Sequence, residues 1–233
     1  MFDQFFKISV APEVISSIIV MLIITVLAII VGIQAHFQDP LKKPKGLLLI
    51  AEVGVRFFDN FTEGLVGKRL PGFGGVVMCC GVYLFISFIF GLTGLPSPVT
   101  YMAVPLSLGL TAFMCIHIVS AHFTKWKYFK RYVEPFPVFL PINLISMWAP
   151  VLSLTLRLFG NAVAGMTLMS LLYTFLGSIG PTLFDSMHLG GVIAPFVTPV
   201  LHAYFDLFSG LIQTTVFISL MTILTGQEIP EEE

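Results

Sequence analysis

The chain has 233 residues, of which 56% are apolar and 11% are charged, and its mean hydropathy is +0.94. A soluble domain of this length carries about a quarter charged residues, so this composition excludes an ordinary water-soluble fold. The formal net charge is −1 and no basic patch is interleaved with aromatic residues, which argues against a nucleic-acid partner. The three cysteines lie in apolar runs without metal-ligand spacing, so we expect neither a metal nor a cofactor.

The N-terminal quarter predicts one membrane span followed by a surface helix. Residues 14–33 form a charge-free apolar run of about 20 residues, enough for one spanning helix at 1.5 Å per residue. In residues 46–65, apolar side chains recur at three- and four-residue steps, and Glu52, Arg56 and Asp59 lie between them. This pattern is typical of an amphipathic helix on the membrane surface. A helix packed on a soluble partner domain is the alternative.

Two further spans are predicted at residues 73–92 and 101–123, joined by a turn rich in glycine and proline. Basic residues cluster at 42–45, after the first span, and at 125–131, where the third span ends. Because basic loops are retained in the cytoplasm, both clusters should be cytoplasmic. The N-terminus is then outside, the turn between the second and third spans is outside, and the C-terminus is inside.

The last hundred residues contain two apolar stretches that are too long for ordinary spans. Residues 135–175 would measure roughly 60 Å as a helix and residues 192–224 roughly 50 Å, against a hydrocarbon core about 30 Å thick. We expect two long, tilted or kinked helices, connected outside by residues 177–191. Bends are expected at the prolines of the two stretches, Pro141, Pro150, Pro195 and Pro199.

The predicted fold is an all-α integral membrane protein with five membrane-crossing helices, the last two long and tilted, plus one amphipathic surface helix. Residues 1–233 are expected to form a single membrane domain. Within it, residues 1–134 hold the peripheral spans and the surface helix, and residues 135–233 hold the two long helices.

Arg157 is the only Lys or Arg in the apolar stretches of the C-terminal half, and the nearest charged residues, Glu134 and Asp185, are more than twenty positions away. An arginine at the bilayer centre costs at least about 2.5–3.5 kcal/mol and cannot escape by deprotonation. It must therefore face a polar partner or water. The alternative is a structural arginine paired with an acid of the same chain. Small and polar residues share its helical face at four-residue steps: Ser153, Arg157, Asn161 and Gly165.

The last long stretch carries a complementary polar stripe. Four polar residues fall at i, i+4, i+7 and i+11, namely His202, Asp206, Ser209 and Gln213, and Thr198 extends the stripe by one turn. Such a stripe can line a water-filled path or pair with Arg157. A buried structural histidine remains the alternative for His202.

Other polar residues give weaker indications. We expect His117 to be packed within the third span and His122 to lie at headgroup level. Asp185 and His188, in the predicted outer loop, fit either a channel mouth or a solvated loop equally well.

The sequence Leu156-Arg157-Leu158-Phe159-Gly160-Asn161, followed by Ala164-Gly165, resembles the signature of subunit a of the F-type ATP synthase, and Gln213 matches a second position of that family. The order of spans and basic loops is similar over nearly the whole chain. The resemblance implies a stator with two offset aqueous half-channels that faces a rotating ring of c subunits. In it, Arg157 would interact with the ring carboxylate, and Asn161 and Gln213 would face the ring or a half-channel.

The same resemblance implies further partners, a location and a role. The partners would be the ring of c subunits, subunit b of the peripheral stalk, the remaining synthase subunits and the lipid bilayer. The location would be a bacterial plasma membrane. The chain would be non-catalytic by itself and would translocate an ion, expected to be a proton, although these residues do not distinguish protons from sodium.

Two positions depart from the family pattern. Many relatives have an acid nine residues after the arginine, where this chain has Met166, and many bacterial relatives have a histidine where it has Asp206. The two positions exchange roles within the family, so we expect Asp206 to be the relocated acid. Several relatives also carry acids where this chain has Asn143, Ser146 and Met147, which leaves the half-channel route open.

Two other classes of function remain as alternatives. In a secondary transporter, Arg157 would bind a substrate carboxylate, but no internal repeat is visible. An intramembrane enzyme would need a nucleophile and a base in proximity, and the sequence shows no such pair.

Overall fold

The computed structural model describes residues 11–39, 43–125, 136, 138, 140–183 and 189–230, and the side chains of the two long segments up to residue 178 and from residue 195. Every extended regular element in these ranges is a helix. In chain order they are α1 (Pro12–Phe37), α2 (Leu47–Val66), α3 (Phe73–Ile89), α4 (Ala103–Thr124), α5 (Leu140–Leu183), α6 (Leu189–His202) and α7 (Ser209–Gly226). Short 3₁₀ turns follow α2 and α3 and precede α4.

Five helical stretches of the described chain are long and apolar enough to cross a membrane, which confirms the predicted all-α membrane fold. They are Pro12–Phe37, Phe73–Thr93, Ala103–Thr124, Leu140–Ser178 and Pro195–Gly226. The first contributes little to the protein core, because most of its large apolar side chains, such as Leu22 and Ile29, are exposed. In a membrane that surface faces lipid or another subunit.

The predicted amphipathic segment is a helix, α2, whose two flanking glycines, Gly46 and Gly67, have φ values of 62° and 74°. Such left-handed backbone favours glycine, so both ends of the helix are fixed by the sequence. Phe58 and Phe61 pack against the core, whereas Ile50 on another face is exposed. That α2 lies on the membrane surface stays a prediction.

The core forms where α3 packs between α2 and α7. Its fully buried residues include Val77 and Leu84 of α3, Leu158 of α5 and Phe217 of α7. Gly210 permits a close approach of α7 to α3, because a Cβ there would lie 2.7 Å from the Cβ of Phe88. This contact brings the helix that carries the polar stripe against α3.

The helix α5 has 44 residues and would measure about 66 Å if straight, so it must tilt to remain in a bilayer. The predicted bounds of the connection, residues 177–191, are wrong, because α5 continues to Leu183 and α6 begins at Leu189, whereas its location outside stays a prediction. Gly177 does not end the helix, since a backbone in a membrane has no water to bond and glycine is common in spanning helices.

The second long segment is helical from residue 189 to 226 but is not uniformly α-helical. Pro195 and Pro199 lie inside α6, and a π-helical turn, Ala203–Phe208, separates α6 from α7. Proline removes a backbone donor, and local π geometry re-pairs the groups that are freed. The irregularity therefore follows Pro199 by one turn and includes Asp206.

Candidate functional site

Polar side chains join α5 to α7 at the level of Arg157. The Asn161 side-chain amide donates a hydrogen bond to Ser209 Oγ at 2.8 Å, and Gln213 Nε2 donates one to the backbone carbonyl oxygen of Arg157 at 2.9 Å. Gln213 is buried, with 7% of its surface exposed. The structure thus brings Asn161, Ser209 and Gln213 together between α5 and α7, and that they line an ion path stays a prediction.

The guanidinium of Arg157 is not part of this interface. Its side chain is exposed, as are those of Leu156 and Ala164 nearby on α5. Among the described residues, no hydrogen bond or ion pair reaches the guanidinium. The alternative in which Arg157 pairs with an acid of the same chain therefore finds no partner in this part of the chain.

Ser153 is also exposed, one turn before Arg157. Within the described residues no hydrogen bond joins its hydroxyl to α7. Ser153 therefore lies on the same exposed face of α5 as the arginine and does not take part in the α5–α7 contact.

His202 and Asp206 form a second polar group, one helical turn apart. His202 Nδ1 lies 2.7 Å from Asp206 Oδ2, and His202 Nε2 lies 2.9 Å from the Tyr173 hydroxyl of α5. Sequence reasoning identified the first two residues and missed Tyr173. Aromatic residues are common in membrane spans, and Tyr173 does not lie on the face that contains Arg157, so no pattern singled it out.

A cavity of about 460 Å³ connects these polar groups. Its walls come from α5, from the α6–α7 segment and from the turn between α3 and α4, and its polar lining includes Ser97, Thr100, Asn161, Ser170, Tyr173, Thr174, His202 and Asp206. Met166 and Asp206, the two positions of the expected exchange, both line it. An acid at either position would therefore face the same space.

A second cavity, of about 410 Å³, lies on the other side of His202. It is lined by Gly91, Thr198 and Pro199 among others, and His202 and Gly91 line both cavities. Thr198 is buried and lines this second cavity together with His202, whereas Asp206 lines the first. His202 stands in the wall between two spaces that open near the α3–α4 turn.

The remaining candidates lie elsewhere. The His117 ring packs on Phe113, with centroids 3.8 Å apart, and does not line either cavity, which fits a packed histidine. His122 is exposed near the end of α4. Asp185, His188, Glu134 and the basic cluster beyond Lys125 lie outside the described residues. Within the residues described, no group of three potential metal ligands occurs.

Comparison with known proteins identifies the family. The model of a family described as ATP synthase A chain matches residues 14–225. ATP synthase subunit a of Mycoplasmoides gallisepticum is 30% identical over 235 residues, covering 95% of this chain and 79% of that protein. The subunit a of Limosilactobacillus fermentum is 31% identical over 213 residues, covering 86% and 85%.

The name of a third relative specifies an ion. The protein of Propionigenium modestum named "ATP synthase subunit a, sodium ion specific" is 34% identical over 131 residues, covering 54% of this chain and 39% of that protein. Similarity alone therefore does not select the ion. Since the family model spans most of the chain and the helices match a membrane fold, the chain belongs to the ATP synthase A chain family, as a non-catalytic, integral membrane subunit a of the F-type ATP synthase.

Proposed function

We propose that the chain is the ion-translocating part of the stator and that Arg157 faces the ion-binding carboxylate of each passing c subunit. The observation that carries this proposal is the exposed guanidinium on a membrane-spanning helix, without a partner among the described residues. An arginine left facing lipid is costly, so a partner must supply the compensating charge. A carboxylate on a neighbouring subunit fits the planar fork of the guanidinium.

The cavity lined by Asn161, His202 and Asp206 is proposed as the outer half-channel. It adjoins the α3–α4 turn, which the basic loops place outside. An ion that enters there would reach the ring near Asn161, one turn beyond Arg157. Asp206 would supply the acid that Met166 lacks.

The cytoplasmic half-channel is proposed along the exposed face of α5, in the part of the helix that precedes Arg157 and includes the exposed Ser153. Since α5 begins on the cytoplasmic side in the proposed orientation, this face leads from Arg157 to the cytoplasm. The two half-channels are then offset, and each one opens onto a different position of the ring.

Rotation follows from this arrangement. An ion neutralises a ring carboxylate in one half-channel, and the neutral carboxyl travels through lipid. Arg157 then displaces the ion into the other half-channel as the carboxylate returns. The driving energy is about 2.3 kcal/mol per elementary charge per 100 mV, so a fixed cation that blocks a direct leak preserves this energy.

The assignments that complete the proposal come from the sequence and the family. The partners are the c ring, subunit b of the peripheral stalk and the other synthase subunits, in a bacterial plasma membrane, with the N-terminus outside and the C-terminus cytoplasmic. The transported ion is proposed to be a proton. Residues 1–233 form one membrane domain, in which residues 135–233 translocate the ion.

Cross-linking from α5 tests the contact with the ring. Leu156 and Leu158 flank Arg157, but Leu156 is 54% exposed and Leu158 is 1% exposed. With a cysteine beside the carboxylate of the c subunit, Leu156→Cys should form a disulfide to the ring, and the matched control Leu158→Cys should not. Equal cross-linking, or none from either position in an assembled complex, would place the ring on another face and contradict the proposal.

A further inference from the structure

Tyr173 contacts His202, the side chain that is hydrogen-bonded to Asp206. Its hydroxyl lies 2.9 Å from His202 Nε2, while the other ring nitrogen of His202 lies 2.7 Å from Asp206 Oδ2. The three side chains thus form a hydrogen-bonded chain from α5 to the π-helical turn. All three line the cavity assigned to the outer half-channel.

When Asp206 is ionised and His202 is neutral, as the proposed role of Asp206 as proton acceptor requires, the chemistry of the groups sets the direction of these hydrogen bonds. An ionised carboxylate can only accept, so the proton of a neutral His202 must be on Nδ1 and be donated to Asp206. Nε2 is then an acceptor, and the Tyr173 hydroxyl must donate to it. A partner on one ring nitrogen selects the tautomer and the orientation of an imidazole in this way.

The hydroxyl of Tyr173, not its ring, makes this contact. The ring centroids of Tyr173 and His202 are 6.2 Å apart and tilted by 42°, and 48% of Tyr173 is exposed. Loss of the hydroxyl would therefore remove the hydrogen bond and leave most packing unchanged.

We propose that Tyr173 is a positioning residue of the outer half-channel: by donating to His202 Nε2, it fixes the orientation of the imidazole, whose Nδ1–H holds the Asp206 carboxylate by one oxygen. The other oxygen of Asp206, Oδ1, then faces Gly91. A Cβ placed on Gly91 would lie 3.8 Å from this oxygen, at ordinary van der Waals distance. That oxygen is the one that exchanges a proton with water in the cavity. This inference rests on the proposed function.

The test uses Tyr173→Phe in the complete synthase complex, with Tyr204→Phe as the matched control. Tyr204 carries the same hydroxyl on the π-helical turn but is exposed and stacks on Phe208, with ring centroids 5.7 Å apart. Proton-driven ATP synthesis in vesicles should fall about fivefold in Tyr173→Phe, the size expected for one net hydrogen bond, and should not change in Tyr204→Phe. Both substitutions are repeated in a His202→Gln background.

A spectroscopic measurement on the His202 ring separates positioning from packing. In the ¹⁵N spectrum of the imidazole, assigned to His202 by the signals lost in His202→Gln, the Nε2 signal should shift when Tyr173→Phe removes its hydrogen-bond donor, and the Nδ1 signal should shift with it as the hydrogen bond to Asp206 loosens. If Tyr173 acts through His202, Tyr173→Phe should add no further loss of synthesis to His202→Gln. An unchanged spectrum, or the same additional loss in both backgrounds, would overturn the inference in favour of a packing role.

The controls keep the inference distinct from the proposed function. If Tyr173→Phe retains full synthesis while Arg157→Ala has none, the inference fails and the stator mechanism stands. If Arg157→Ala itself makes ATP, the proposed function fails whatever Tyr173 does.

Discussion

At the scale of single residues, the backbone and the side chain of Arg157 have separate roles. Gln213 holds the carbonyl of Arg157 and so fixes α5 against α7, while the guanidinium projects from the exposed face of α5. A buried amide that binds backbone keeps the helix in register without neutralising the charge. This separation would let the arginine be firmly placed and still be available to the moving partner that we propose.

Asp206 and Met166 allow a test at the same scale, because both line one cavity. Asp206→Asn removes the charge that we propose receives the proton, so proton flow should fall by at least about tenfold. Met166→Glu combined with Asp206→His returns an acid to the same space and should restore part of the flow. Proton uptake into vesicles measures both variants, and full activity of Asp206→Asn alone would exclude this acid from the pathway.

At the scale of elements, periodicity predicted where the helices lie but not how they end. The charge-free run and the amphipathic pattern placed α1 and α2 within a few residues of their observed bounds. Gly177 misled, because intramembrane backbone stays helical where aqueous backbone would break. The bends expected at Pro195 and Pro199 stay a prediction. A π turn cannot be located by side-chain spacing, since it changes the spacing itself.

The same limit applies to the site. The spacing predicted a polar stripe on the last helix that could line a water-filled path or pair with Arg157. The observed hydrogen bonds, from Asn161 to Ser209 and from Gln213 to the Arg157 backbone, join the faces of two helices. The spacing could not find Tyr173, because its contact with His202 depends on the tertiary path of two long helices. The exposure of Arg157 was equally beyond sequence reasoning, which required a partner but could not say whether it was internal.

The α6–α7 segment has a face that can be mapped with cysteines. Positions 202 and 206 line the cavity, whereas Leu211 and Ile212 are exposed on α7 and line neither cavity. If the cavity holds water, cysteines at 202 and 206 should react with a water-soluble thiol reagent or silver ions at least about tenfold faster than those at 211 and 212, because reaction requires a hydrated thiolate. Equal rates at all four positions would leave a packed interface in place of a half-channel.

At the scale of the whole molecule, orientation rests on the basic loops, and side-specific labelling can check it. In intact cells, Leu95→Cys in the α3–α4 turn should be labelled from outside by a membrane-impermeant reagent, and Lys127→Cys only after the inner surface is made accessible. Leu95 is exposed and Lys127 lies in the basic cluster after α4. The reverse pattern would invert the chain and assign the cavity to the cytoplasmic half-channel.

The proposed stator mechanism depends most on Arg157, so ATP synthesis by Arg157→Ala is its most direct test. Vesicles with this variant should assemble a complete complex but make no ATP from an ion gradient, and they should leak passively once the fixed charge between the half-channels is gone. Arg157→Lys should fail as well, because an ammonium lacks the planar fork and can lose its proton when desolvated. Loss of assembly in both variants would indicate pairing within the chain, and substantial ATP synthesis by Arg157→Ala would contradict the stator mechanism.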